Sequence, residues 1–269
     1  LEAEAGVRLI HEVGLLFFGE RDSARVQSMV SGLEECKVPH QVLDRAGVAR
    51  VFPALRLDAS EVGVFTPEAG WVDASGALRA SFRLAEKHGI EVRAPEAIDT
   101  AGLEAEFDAY VVAPGGWIRD FVDVPVKVTC ETFGYADLQV EGPVWIDDSD
   151  FSYGFPSDQH GLKLGAHQTG YEIDPHEPLR EPSPANKKMV EAKVRDRFGV
   201  EAPVRFWKGC LYTSTANDDF LMGGLGTKGF FASACSGHGF KTGPWVGKLL
   251  ADFAEGKRGP EDFPRFLCP

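Results

Sequence analysis

Apolar and polar positions along this 269-residue chain follow two periods, one of about two residues and one near 3.6. Residues 14–19 (Gly-Leu-Leu-Phe-Phe-Gly) form a short continuous apolar run, which predicts a strand. Residues 22–36 place Val26, Met29, Val30 and Leu33 at helical spacing, and residues 44–51 predict a shorter helix that stops before Pro53. Residues 1–13 read as the tail of a helix. Val62-Gly63-Val64-Phe65 is a strand followed by a turn over residues 67–70. Asp73-Ala74-Ser75 caps a helix over residues 76–88, which Gly89 ends. Strands at residues 90–93 and 109–113 flank that helix, a βα alternation that predicts a parallel sheet.

The pattern then changes. Residues 124–167 carry short alternating runs (VKVTCETFGYA, GPVWIDD, FSYGFPS, GLKLGAH) separated by turns, which predicts an antiparallel sheet. A proline-rich loop over residues 174–184 leads to a charged amphipathic helix at 185–198. Residues 204–215 form another strand, 220–225 and 230–234 a hairpin, and 241–255 the last helix. Parallel and antiparallel portions interleave, so the chain crosses between two domains more than once.

Charge narrows the function classes. The chain has 28 Lys and Arg against 41 Asp and Glu, a net charge of -13, and so lacks the basic face that phosphate backbones require. No apolar run reaches the length of a membrane span. The five cysteines, Cys36, Cys130, Cys210, Cys235 and Cys268, form no CxxC pair, which argues against a zinc site and a disulfide framework and for a reducing compartment. No metal is expected. The carboxylate pairs Asp147-Asp148 and Asp218-Asp219 read as solvated turn residues, and His11, His160 and His176 as surface residues.

The chemistry concentrates in three segments: Tyr153-Gly154-Phe155-Pro156-Ser157 running on to Gly161-Leu162-Lys163-Leu164-Gly165-Ala166-His167; Lys208-Gly209-Cys210-Leu211-Tyr212-Thr213; and Ser236-Gly237-His238-Gly239-Phe240-Lys241. Glycines that admit close backbone approach, together with a cation, an imidazole and a nucleophilic sulfur, suit the reactive end of a large flat electron-poor cofactor. On a strand Lys163, Gly165 and His167 share a side, so a lysine and an imidazole face one space with a glycine between them. Lys241 near the start of the last helix makes a carboxylate site. Pro114-Gly115-Gly116-Trp117 follows a strand directly and reads either as a tight turn or as the place of a dinucleotide phosphate or ribose. Taken singly, Cys210 is a structural thiol, Lys163 an outward strand lysine, and His238 and Lys241 helix caps. Within their motifs the functional readings take precedence.

In this order the three segments resemble the monomeric sarcosine oxidase and N-methyltryptophan oxidase family of FAD-dependent amine oxidases, the DAO-type flavoproteins. The resemblance implies an α+β chain of glutathione-reductase-like two-domain design, an α/β FAD-binding part plus an antiparallel substrate-binding sheet. The substrate-binding parts would be residues 1–70 and 119–206, and the FAD-binding parts 71–118 and 207–269. Cys210 matches the cysteine that joins the flavin 8α-methyl through a thioether. Lys163 matches the lysine that promotes reaction with oxygen, and His167 the histidine beside the substrate. Tyr153, Tyr212, His238 and Lys241 match residues of the substrate cavity, with Lys241 on the substrate carboxylate. Gly115, Gly116 and Trp117 lie near FAD, and Gly237, Gly239 and Phe240 near its ring system. The implied partners are a small secondary or N-substituted amino acid and O2, with an imine-derived product and H2O2 released.

The chain departs from the family in lacking the strand and Gly-x-Gly-x-x-Gly turn that bind the FAD pyrophosphate. It reads as N-terminally truncated, with a separate Rossmann segment as a potential partner, and is expected to hold FAD poorly alone. The ending Phe266-Leu267-Cys268-Pro269 lacks a peroxisomal signal, so a cytoplasmic location is expected. Two rival readings are a dehydrogenase using a carrier, against which Lys163 argues, and a non-catalytic subunit.

Overall fold

The computed structural model describes residues 1–93, 99–178 and 181–267. By contacts the chain separates into two compact units: residues 1–92, 132–169 and 182–209 form one, and residues 93–131, 170–181 and 210–269 the other. The sequence places the changes at 70/71, 118/119 and 206/207. The first lies later in the structure because the helix Ala74–Lys87 packs Ala77 and Ala80 against Leu9, Ala5 and Val7 of the first unit.

The first unit is built on a sheet in which Gln41–Leu43, at one end, is followed by Glu61–Thr66, Leu15–Glu20, Val144–Asp147, Ser152–Asp158 and Gly161–Ala166 in spatial order. Leu15–Glu20 is antiparallel to Glu61–Thr66, with Phe17 opposite Val64, and parallel to Val144–Asp147, with Phe17 opposite Ile146. The predicted antiparallel run is present, since Ser152–Asp158 pairs antiparallel with both Val144–Asp147 and Gly161–Ala166. The apolar run at residues 15–18 is continuous because both faces of its strand are buried. Leu16 and Phe18 join Trp145, Leu162 and Leu164 beneath Val190, Val194 and Phe198 of the helix Pro184–Phe198. Phe17 faces the other way, with Val62 and Val64 against Val26, Met29 and Leu33 of the helix Ala24–Glu35.

The two adjacent carboxylates at 147 and 148 are buried, not solvated turn residues: Asp147 is 0% exposed and Asp148 7%. Asp147 ends its strand on the face covered by Pro184–Phe198, where it meets Arg197 and Lys193 at 2.7 Å each. Asp148 accepts from Ser23 and pairs with Arg25. Arg197 also holds Glu61 through two bonds of 2.7 and 2.8 Å.

In the second unit a three-stranded sheet runs Leu221–Leu225, Gly229–Ser233 and Tyr110–Val112. The first pair is the predicted hairpin, while Gly229–Ser233 and Tyr110–Val112 are parallel, with Phe231 opposite Val112. The helix Gly243–Ala254 covers one face through Leu249, Leu250 and Phe253 against Met222, Phe230 and Ala232. Ile118, Val124, Val126 and Phe231 pack together in a second cluster.

Three local expectations are corrected. The N-terminal helix is only Glu2–Ala5, ended by Gly6 in a left-handed conformation, and Ile10–Glu12 pairs with Gly70–Val72 instead. Residues 90–93 form no strand: Ile90 and Val92 are exposed and have no ladder partner among the described residues. The last α-helix starts at Gly243, because Phe240–Thr242 is a 3-10 turn. Cys268 lies outside the described residues. Among the described residues no helix is long and apolar enough to cross a membrane.

Candidate active site

Tyr153, Lys163 and His167 belong to the first unit. Register sets their neighbours. Lys163 lies opposite both Phe155 and Tyr135, and Gly165 opposite both Tyr153 and Phe133, so these side chains share one face of the sheet. It is the face opposite the Leu162 and Leu164 core, and its side chains are half-buried. The Lys163 ammonium sits 4.6 Å from the centre of the Phe133 ring and 4.9 Å from that of Phe155. Two aromatic faces thus hold one cation in place without neutralising it. Burial, with Asp158 nearby, pushes the Tyr135 phenol above its ordinary range.

The room expected beside Gly165 is occupied. A Cβ on Gly165 would meet the Tyr153 hydroxyl at 2.7 Å, so the missing side chain makes space for the phenol of its cross-strand partner. His167 lies one residue beyond the strand Gly161–Ala166, in a turn, where its N–H donates to Phe151 O at 3.1 Å. Lys163 and Gly165 share the expected side; His167 is carried by the turn that follows.

Cys210, Tyr212, the residues 115–117 and the residues 237–241 belong to the second unit. The parallel pairing of Tyr110–Val112 with Gly229–Ser233 brings the turns that follow both strands to the same edge of the sheet. Ser233 Oγ donates to Gly115 O at 2.8 Å, joining the two turns. That edge, at the carboxyl ends of neighbouring parallel strands, is the usual seat of a nucleotide cofactor in open α/β sheets. Gly115 is left-handed at φ +56°, with no atom within 4 Å of where a Cβ would stand, and so presents bare backbone. The strand Val204–Ser214 packs along both turns: Leu211 would lie 3.1 Å from a Cβ on Gly116, and the Tyr212 ring fills the space that a Cβ on Gly237 would need. Cys210 is half-buried on the same strand. Trp117 is half-buried in the 3-10 segment Gly115–Asp120.

The turn at 234–239 is strongly bent. Ala234 and Ser236 take φ values of +56° and +48°, and Gly237 +78°. Ser236 N donates to Thr213 O at 2.9 Å, which ties the bend to the neighbouring strand. Gly239 lies against Cys235. Lys241 and Phe240 are exposed within the 3-10 turn, so Lys241 stands just before the helix Gly243–Ala254 rather than in its first turn. Gly237→Ala is expected to cost about 1–3 kcal/mol in thermal unfolding, from left-handed strain together with overlap on Tyr212. Gly115→Ala, with open space at its Cβ, should cost no more than the strain alone, about 1–2 kcal/mol. Equal losses would show that Tyr212 yields freely.

Sequence reasoning did not single out Phe133, Tyr135 and Phe155 around Lys163, although the alternation in residues 127–136 places the first two on one side. It also did not bring together Asp219, Phe220, Arg265 and Phe266: it read Asp219 as a solvated turn residue and Phe220 as the start of a strand, whereas both precede the strand Leu221–Leu225. Asp219 belongs to this group as an ion-pair partner: Arg265 lies beside it at 2.6 Å and holds its carboxyl below the ordinary range, while Asp218 is exposed. Among the described residues no group of three or more His, Cys, Asp or Glu could hold a metal.

Bare left-handed glycine backbone at the carboxyl edge of a parallel pair, with a thiol and an imidazole on the adjoining segments, fits the ring end of a flavin. The chain belongs to the DAO family of FAD-dependent oxidoreductases, whose model matches residues 1–253. It is accordingly an FAD-dependent enzyme of the oxidoreductase class. It is 24% identical over 282 aligned residues to N-methyl-L-tryptophan oxidase of Escherichia coli (strain SMS-3-5 / SECEC), covering 94% of this chain and 75% of that protein. Among solved structures it is similar to NikD, described as an unusual amino acid oxidase essential for nikkomycin biosynthesis, in its open form. The TM-score is 0.80 at 20% identity, over 99% of this chain and 79% of that one. L-proline dehydrogenase from P. horikoshii is similar as well, with a TM-score of 0.79 at 18% identity, over 100% and 80% of the two chains. These structural likenesses establish a shared fold.

Proposed function

We propose that the chain oxidises the C–N bond of a secondary or N-substituted amino acid with O2. A hydride equivalent and a proton leave the substrate, O2 takes up two electrons and two protons to give H2O2, and water hydrolyses the imine. When bound, FAD supplies the electron-accepting ring. The supporting relatives are an N-methyl amino acid oxidase and an amino acid oxidase by name.

The observation that carries the oxygen part is Lys163. Its ammonium is fixed by Phe133 and Phe155 on a half-buried aromatic face, where a cation stabilises the anion formed as oxygen is reduced. In the same reading Lys241 takes the substrate carboxylate. Tyr153, His167, Tyr212 and His238 orient the amine. Cys210 carries the flavin through a thioether, and backbone at Gly115, Gly116, Trp117, Gly237, Gly239 and Phe240 approaches it. The reading includes a separate nucleotide-binding segment as a partner. It is supported by Tyr110–Val112, an outer strand of its sheet among the described residues, with Val111 41% exposed. The same reading places the chain in a reducing compartment, the cytoplasm.

The test is oxygen uptake by the FAD-loaded protein with a panel of N-methyl amino acids. Equal amounts of O2 consumed and H2O2 formed are expected, with primary amino acids inert. Substrate-dependent dye reduction without O2 uptake would instead assign a dehydrogenase.

A further inference from the structure

His238 is held by a chain of contacts that ends at the C-terminal turn, all of it within the second unit. Its Nδ1 lies 2.9 Å from Ser236 O. A carbonyl oxygen can only accept, so in the neutral ring the proton sits on Nδ1 and Nε2 keeps its lone pair. Ser236 is fixed to provide that carbonyl: it is 0% exposed, left-handed at φ +48°, and bonded through its N–H to Thr213 O. The imidazole plane is set from the other side by Phe220, with ring centres 5.5 Å apart. Phe220 stacks in turn on Phe266, at 6.0 Å and 28° between planes. The residue before Phe220 is gripped as well. Arg265 donates to Asp219 Oδ1 from Nε at 2.9 Å and from its terminal nitrogen at 2.6 Å, and Thr215 Oγ1 donates to Asp219 O at 2.9 Å. Neighbouring residues of the turn Pro264–Phe266 therefore hold the Asp219-Phe220 pair by charge and by stacking.

We propose that Arg265 and Phe266 are positioning residues. Through Asp219 and Phe220 they keep His238 as the Nδ1–H tautomer, with Nε2 turned out as a proton acceptor for the substrate amine. This deepens the function proposed above and rests on His238 serving the substrate. Amino acids arrive as ammonium ions, and the C–N bond is oxidised only once nitrogen has regained its lone pair. Nε2 takes that one proton, giving an imidazolium whose Nδ1–H bond to Ser236 is retained. An imidazole in the other tautomer would set two lone pairs against each other at Ser236 O and leave no acceptor at Nε2. The Arg265 side of the pair is largely exposed, so its contribution to stability is small and its role is directional.

The test is nitrogen NMR of the full chain labelled at histidine, since Nδ1 and Nε2 shifts distinguish the tautomers; His238→Gln assigns the signal. The wild-type protein is expected to show a single Nδ1–H signature. Phe266→Leu should lose it, with both nitrogens moving toward the exchange average. Arg265→Gln should move them the same way by less, and Arg265→Lys should return them toward wild type. Phe263→Leu disturbs the same segment but contacts Trp245 and Phe253 rather than Phe220, and should leave the signature intact. An unchanged signature in Phe266→Leu, or an equal change in Phe263→Leu, overturns the proposal. Should Phe266→Leu fail to fold by circular dichroism, the Arg265 pair of variants decides: no difference between Gln and Lys overturns it. The readout needs no turnover. An intact wild-type signature lost in Phe266→Leu, in a protein that oxidises no N-methyl amino acid, would count against the reaction and leave the positioning standing.

Discussion

Lys163→Met is expected to slow reoxidation of the reduced enzyme by O2 by roughly 10²–10³-fold, the usual effect of removing one preorganised charge or donor from a developing anion. Reduction by substrate should change by less than about tenfold, or about 1.4 kcal/mol. The split follows from where the charge forms. Oxygen acquires negative charge, and Lys163 is a cation held by two ring faces, at 4.6 and 4.9 Å. Methionine keeps the unbranched length and packs well against aromatic rings, so the sheet face should survive the change. Anaerobic stopped-flow reduction followed by mixing with O2 separates the two half-reactions. Equal losses in both would remove Lys163 from the oxygen step and favour a carrier as electron acceptor.

The largest stability effect should come from Arg197→Met, at about 3–5 kcal/mol, with a fall in Tm on the order of 10 °C. Arg197 is 8% exposed and its guanidinium bonds both Glu61 and Asp147, which are 6% and 0% exposed. Burial works against the Arg197 charge, yet the hydrogen bonds it donates to Glu61 and the pull of Asp147 outweigh it and hold the guanidinium above its ordinary value. At Asp147 burial pushes the carboxyl up, while Lys193, Ser149 and Arg197 more than reverse this and leave it below the carboxylate range. A carboxyl depressed on folding stabilises the protein above its unfolded value, near pH 4, and that stabilisation is lost as the pH falls through the folded value. The gap between wild type and Arg197→Met should therefore be widest at neutral pH and shrink toward pH 3. Thermal unfolding at several pH values reads it directly. A loss below about 1 kcal/mol at pH 7 would mean that water reaches these carboxylates.

Much of the architecture was legible because it depends on neighbours in sequence. Asp73 caps Ala74–Lys87 through a 2.9 Å bond to Gly76 N, and the Asp44 cap and the Pro184–Phe198 helix lie within a residue of their expected limits. The errors arose where a distant partner decides. Residues 90–93 have strand composition but no strand beside them, and residues 10–12 leave the helical pattern to pair with 70–72. The buried state of Asp147 was hidden because its cations come from a helix some 46 to 50 residues later. Gly165 was correctly placed on the face of Lys163, but only cross-strand register shows that Tyr153 fills its space.

The amino-acid order by itself determined most of the elements, the antiparallel run, the three motif segments and the family, since periodicity, caps and motif spacing are short-range properties. Tertiary structure alone decided which glycine turns stand together, which carboxylates are paired in the dark of the core, and which rings hold Lys163 and His238. Those outcomes depend on strand register and helix placement across tens to hundreds of residues, and burial energy is gained only when such distant surfaces meet.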